Sequence, residues 1–202
     1  MERHIVTISG GGFSEETDAY IDNYIVRIKR KDSPIKICFV ATASNDAQGY
    51  IDKFYSAFQH EEPAHLTIKD FSLPNIQAIV NAFDIVYIGG GHTQSMLKVW
   101  RSTDFDRVLI NAYKQGVILA GISAGAMCWF EHCTSENSEQ EYEPFQGLGL
   151  LKGALCPHYN DPIRKQHFDE WAKKENLSPL YLLEDHENLH FINENCVAKI
   201  ST

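Results

Sequence analysis

Basic residues are in short supply. The 202-residue chain sets 18 Lys and Arg against 27 Asp and Glu, a formal charge of −9. That balance argues against a nucleic-acid backbone or an anionic membrane as the main partner. Long hydrophobic runs are missing as well, since none approaches the roughly 20 residues that cross a bilayer. The apolar stretch in the opening segment, Met1 to Ile8, is too short for a signal peptide and reads as a strand. The expected location is the cytoplasm. The five cysteines, Cys38, Cys128, Cys133, Cys156 and Cys196, contain no C-x-x-C pair, so neither a disulfide framework nor a structural zinc site is expected. Cys38 and Cys196 stand in apolar strand-like runs, where a thiol acts as a small hydrophobe. Apolar material is plentiful: 44% of residues are hydrophobic and 22% charged, the balance of a folded globular chain. With no repeat, linker or low-complexity segment, residues 1–202 are expected to form one domain.

Short β-rich runs alternate with longer stretches of helical period. Strands are expected at His4–Ser9, Lys36–Thr42, His65–Asp70, Asp84–Ile88 and Val117–Ala120. Between them Tyr20, Ile21, Tyr24, Ile25 and Ile28 repeat at helical spacing, as do Ile51, Phe54, Tyr55 and Phe58, then Phe105, Val108, Leu109 and Ala112. Ser14 is the expected N-cap of the first helix, and Asn45 with Gln48 the capping box of the second. Runs such as Ile37-Cys38-Phe39-Val40 are apolar on both faces, as strands of a parallel sheet covered by helices on each side must be. Alternating β and α units with right-handed crossovers then give an α/β fold, a doubly wound, mostly parallel sheet flanked by helices. After Ser135 the pattern loosens into an acidic stretch. A helix near Pro162–Glu175 and strands at Leu180–Leu183, Leu189–Asn193 and Cys196–Ile200 complete the chain.

Ligands and chemistry in such sheets collect at the carboxyl ends of the strands. After Val117–Ala120 comes Gly121-Ile122-Ser123-Ala124-Gly125, then the helix-like Ala126-Met127-Cys128-Trp129-Phe130. This is G-x-S-x-G between a strand and a helix, a turn that lifts a serine hydroxyl clear of the backbone. The glycines spare the turn collisions with neighbouring side chains. The Ala124 amide, at a helix start, is placed to receive an oxyanion. The bland alternative is a small-residue turn that lets a helix pack close to the sheet. A nucleophilic serine needs a base, and His158 is the best of 9 histidines: it precedes a helix opened by Asp161 as N-cap and Pro162 at the first position. An exposed loop histidine is the alternative. Gly89-Gly90-Gly91-His92-Thr93 follows another strand and lets amides approach a carbonyl oxygen or anion. The loop Gly10-Gly11-Gly12-Phe13-Ser14 lacks the third glycine of a dinucleotide fingerprint and the lysine of a phosphate loop, so nucleotide binding is poorly supported. His186 and His190 fall in turn and strand rather than on one helix, and no metal is expected there.

These segments resemble the serine peptidase family of dipeptidase E (aspartyl dipeptidase) and cyanophycinase, whose fold is related to class I glutamine amidotransferases. The resemblance runs in order through Gly10–Ser14, Ala41-Thr42-Ala43-Ser44, Gly89–Thr93, Gly121–Ala126 and Cys156-Pro157-His158-Tyr159. It implies Ser123 as nucleophile, His158 as base, and an oxyanion hole from the amides of Gly90 or Gly91 and of Ala124. The family's acidic member lies between serine and histidine in a Thr-rich turn. Thr134-Ser135-Glu136 looks like that turn, making Glu136 the first choice and Glu139 the second. His92 stands where members commonly carry Asn, and with Thr93 it is assigned to substrate contact. Arg164, six residues beyond His158, is the cation assigned to read an acidic substrate.

The expected function is a serine hydrolase that cleaves a small peptide, a dipeptide by preference, through an acyl-enzyme, without metal or organic cofactor. An esterase of the α/β-hydrolase fold shares the elbow and the Ser–acid–His order, and a non-catalytic module that senses an amino acid is the rival of another class. Apolar surface on the last strands is compatible with a homodimer.

Overall fold

A computed structural model describes residues 2–16, 19–29, 33–137 and 141–201. In chain order the strands are β1 (His4–Ile8), β2 (Lys36–Val40), β3 (Glu62–Leu66), β4 (Ile85–Ile88), β5 (Ile118–Ile122), β6 (Phe130–Glu136), β7 (Tyr142–Gln146), β8 (Leu151–Cys156), β9 (Leu180–Leu182), β10 (Glu187–Ile192) and β11 (Asn195–Ser201). The helices are α1 (Gly12–Glu15), α2 (Tyr20–Ile28), α3 (Gln48–Ala57), α4 (Ile76–Asn81), α5 (Thr93–Ser102), α6 (Phe105–Lys114), α7 (Ala124–Met127) and α8 (Pro162–Lys174). A seven-stranded sheet has the order β11-β10-β1-β5-β4-β2-β3. Its pairs among β1, β5, β4, β2 and β3 are parallel, while β10 and β11 run antiparallel. A four-stranded sheet, β7-β6-β8-β9, stands beside it.

Period two along the central strands fills both faces of the large sheet. In β2, Ile37 and Phe39 join one buried cluster with Val6, Ile8, Phe13, Ile21 and Phe54, while Cys38 and Val40 join the other with Leu97, Trp100 and Leu109. Strand β5 is buried at every position. The mostly parallel sheet flanked by helices is therefore the expected architecture. Among the described residues, no helix is long and apolar enough to cross a membrane.

Local differences from the sequence reading have local causes. The strand expected at His65–Asp70 ends at Leu66, because the Asp70 carboxylate accepts from both the amide and the hydroxyl of Thr67 at 2.7 Å. That contact winds Ile68–Ser72 into a 3-10 turn. Ser14 lies inside α1, and Ala19 precedes α2. Asn45 takes a left-handed conformation at the end of a 3-10 turn over Thr42–Ser44, so Ala47, not Asn45, precedes α3. The acidic stretch after Ser135 follows β6 into β7, which pair as Ser135 with Glu143 and Glu136 with Tyr142. Cys196 is exposed on the edge strand, unlike the other four cysteines, which are buried.

Candidate active site

The two segments at the carboxyl ends of β4 and β5, and the loop after β1, converge because β5 lies between β1 and β4. Ser123 follows β5 with φ 52° and ψ −107°, a strained conformation that costs on the order of 1–3 kcal/mol and persists where the surroundings over-determine it. They do so here. The Ser123 amide donates to the Ile8 carbonyl at 2.9 Å, and the Ser123 carbonyl accepts from Ala126 and Met127 at 3.0 Å. A methyl group on Gly121 would stand 2.1 Å from the Gly125 oxygen, and one on Gly125 would stand 2.4 Å from the Ile88 oxygen. Both glycines of G-x-S-x-G are thus demanded by the approach of backbone to backbone.

The Ser123 hydroxyl lies 3.0 Å from Nε2 of His158, whose Nδ1 lies 2.5 Å from Oδ1 of Asp185. His158 follows β8 and has φ 55°. Its amide donates to the Ser9 hydroxyl at 2.7 Å, and that hydroxyl donates to the Leu183 carbonyl at 3.0 Å. Asp185 lies between β9 and β10. Its second oxygen accepts from Nδ2 of Asn160 at 2.9 Å, and its amide donates to Oδ1 of Asn160 at 3.1 Å. Burial pushes the Asp185 carboxyl up, but the hydrogen bonds from Asn160 and His158 and the nearby His158 and His186 outweigh it, so the group sits below its ordinary value. An ionised Asp185 keeps the His158 proton on Nδ1, which leaves Nε2 free to accept from the Ser123 hydroxyl.

Glu136 is not the carboxylate on this histidine. Both ring nitrogens of His158 are taken by other groups, and Glu136 closes the β6–β7 ladder, hydrogen-bonded to Tyr142. Glu139 lies outside the described residues. Sequence reasoning missed Asp185 and Asn160. Asp185 follows the end of an expected strand by two residues, a position equivalent to that of Ser123 after its strand, but the family resemblance places the acid between serine and histidine.

The glycine segment after β4 lies beside the elbow, where a methyl on Gly90 would come 3.4 Å from Cβ of Ser123. The Gly90 amide donates to the Tyr50 hydroxyl. Neither the Gly91 amide nor the Ala124 amide has a partner among the described residues. His92 is the N-cap of α5, with Nδ1 accepting from the Ser95 amide at 3.2 Å. Thr93 is 1% exposed and its hydroxyl is buried, so the first turn of α5 withdraws it from any substrate. Arg164 lies in α8 with its guanidinium 6.0 Å from the centroid of the Tyr142 ring. Among the described residues it makes no hydrogen bond or ion pair to Ser123 or His158. Asp161 caps α8 as expected, accepting from the amides of Ile163 and Arg164 at 2.9 Å, and these bonds hold its carboxyl below the ordinary value. No group of three or more His, Cys, Asp or Glu side chains that could hold a metal occurs among the described residues.

Comparison with known proteins gives this geometry a context. The model of peptidase family S51 matches residues 5–198. The uncharacterized peptidase YgaJ of Bacillus subtilis (strain 168) is 37% identical over 204 residues, covering 99% of this chain and 88% of its own. Peptidase E of Citrobacter koseri is 30% identical over 97 residues, 47% of this chain and 42% of that protein. A crystal structure of a candidate peptidase E from Listeria monocytogenes EGD-e superposes with a TM-score of 0.73 at 18% identity, covering 100% of both chains.

Proposed function

The chain belongs to peptidase family S51, and from that premise we propose that it is a serine peptidase in which Ser123, His158 and Asp185 act together on small peptides, dipeptides first among them. The observation that carries this reading is the unbroken line of contacts from the Ser123 hydroxyl through both nitrogens of His158 to an anchored carboxylate. His158 takes the serine proton as the hydroxyl attacks the scissile carbonyl, and returns it to the leaving amine. Asp185 holds the tautomer and stabilises the imidazolium. The Ala124 amide and an amide of the glycine segment face the oxyanion, each such donor contributing on the order of 3 kcal/mol to barrier reduction. Water then resolves the acyl-enzyme with the same histidine as base.

An aspartate in place of Glu136 changes the chain order to Ser–His–acid, which separates the site from the Ser–acid–His order of α/β-hydrolase esterases. The decisive experiment pairs a fluorophosphonate probe with a dipeptide library. Labelling at Ser123, amide hydrolysis, and a fall of roughly a million-fold in Ser123→Ala are expected. An unlabelled serine, or a Ser123→Ala variant with near-normal turnover, refutes the proposal.

A further inference from the structure

The four amides of Gly89 to His92 are unequally committed. Gly89 donates to the Val40 carbonyl at 3.0 Å and His92 to the Ala43 carbonyl at 2.8 Å, so both ends of the segment are fixed to the chain that leaves β2. Gly90 donates at 3.2 Å to a side chain, the hydroxyl of Tyr50. The Gly91 amide alone has no partner among the described residues. Its residue holds φ 138°, and a methyl there would stand 2.2 Å from the Ala43 oxygen, so only glycine fits at this position.

Tyr50 is itself fixed. It stands in the first turn of α3, its ring stacked on Phe13 at 5.6 Å and edge-on to Phe39 at 5.0 Å. A methyl on Gly89 would lie 2.9 Å from its Cε1. Burial pushes the Tyr50 hydroxyl up and the Ser14 side chain acts to pull it down, and the helix of Ser14 follows the loop of Gly10. That loop in turn lies against Asp185 and His158: a methyl on Gly10 would be 2.7 Å from Oδ1 of Asp185 and 3.3 Å from Cε1 of His158. One phenol oxygen therefore joins the loop that backs the histidine and carboxylate to the loop that faces the elbow.

We propose that Tyr50 is a positioning residue: by occupying the Gly90 amide it presents the Gly91 amide, beside that of Ala124, to the oxyanion, and it holds the two loops in register. This rests on the serine-peptidase reading of the same site. The phenol touches no reacting atom, so its effect falls on the tetrahedral state and spares the ground state.

Tyr50→Phe keeps the ring contacts and removes the oxygen. The variant is expected to fold, to keep KM within about twofold, and to lose about tenfold to a hundredfold in kcat. A peptide aldehyde, which forms a tetrahedral adduct with the serine, should lose affinity by the same factor as kcat/KM, whereas a product dipeptide should bind unchanged. A structural role alone would move stability and leave that correlation absent. Should Tyr50→Phe fail to fold, Ser14→Ala removes the side chain that acts on the Tyr50 hydroxyl and is expected to shift kcat and aldehyde affinity together by a smaller factor. A folded Tyr50→Phe with kcat within twofold of the parent, or one that loses kcat with aldehyde affinity intact, overturns the assignment; so does Ser14→Ala without a shift, if that is the variant in hand. A parent protein that takes no fluorophosphonate label and cleaves nothing overturns the serine-peptidase reading itself, and the role of Tyr50 with it.

Discussion

Replacing Asp185 with Asn tests the site through a single proton. In the parent, Asn160 donates its NH2 to one oxygen of Asp185 while the other oxygen faces Nδ1 of His158. The amide of Asp185→Asn has one oxygen and one NH2 to distribute between these two neighbours. Keeping the bond from Asn160 puts the oxygen there and aims the new NH2 at Nδ1, which must then accept. The ring proton moves to Nε2 and points at the Ser123 hydroxyl, and the base is lost. The opposite orientation keeps the right tautomer but sets two NH2 groups face to face, an unmade hydrogen bond that costs about 1–3 kcal/mol. The wrong tautomer is therefore favoured about 5-fold to 150-fold by Asn160 alone. With the imidazolium also deprived of its counter-charge, kcat is expected to fall about ten-thousandfold, or roughly 5.4 kcal/mol of barrier. Adding Asn160→Asp reverses the preference, since a carboxylate at 160 accepts from the new NH2 and turns its oxygen back to Nδ1. The double variant should recover about tenfold or more of the lost rate. Turnover of a p-nitrophenyl ester and of a dipeptide, with melting curves for each variant, measures this. If Asp185→Asn keeps more than a tenth of parental kcat, Asp185 does not hold the tautomer. If the second substitution rescues nothing, the clamp by Asn160 is not what sets it.

Three other outcomes follow from particular contacts. Glu136→Gln should leave kcat and KM unchanged within about twofold, because that carboxylate pairs with Tyr142 instead of His158; a loss like that of Asp185→Asn would return Glu136 to the site. Gly10→Ala drives a methyl to 2.7 Å from Oδ1 of Asp185, so steady-state kinetics should show at least about a tenfold loss of kcat, and full activity would show the loop yields freely. His190 is buried against His4 and Tyr24, and burial followed by the charge of His4 pushes it down to about 4. Its folded value lies below its unfolded value near 6.5, so the unfolded chain binds this proton first and stability falls as pH drops between those values. The full loss is about 3 kcal/mol; urea titrations of the parent should show it, and His190→Gln should flatten the slope.

The parallel sheet was legible because its strands carry their burial in their sequence: Ile37 to Val40 and Ile118 to Ile122 are apolar whichever face they meet. The small sheet was not. Strand β7 is Tyr-Glu-Pro-Phe-Gln with only Tyr142 and Phe145 half-buried, and β6 ends in Thr-Ser-Glu, so neither shows a period of two against its neighbours. Their pairing is a tertiary contact that local pattern does not encode. Ser123 was visible from a steric demand written into adjacent glycines. His158 stood out from the other histidines by its place just ahead of the helix that Asp161 and Pro162 open, and the family likeness agreed. Asp185 and Tyr50 act at sequence separations of 27 and 40 from His158 and Gly90, distances over which no spacing rule operates.

The Ser9 hydroxyl receives one hydrogen bond from the loop of His158 and gives one to Leu183, so a side chain one methylene long moors the small sheet to the large one at the spot where imidazole meets serine. So short a mooring has no slack. Any breathing of the smaller layer parts base from hydroxyl while the central strands stay intact, which makes turnover a finer gauge of the seam between layers than any signal from the core.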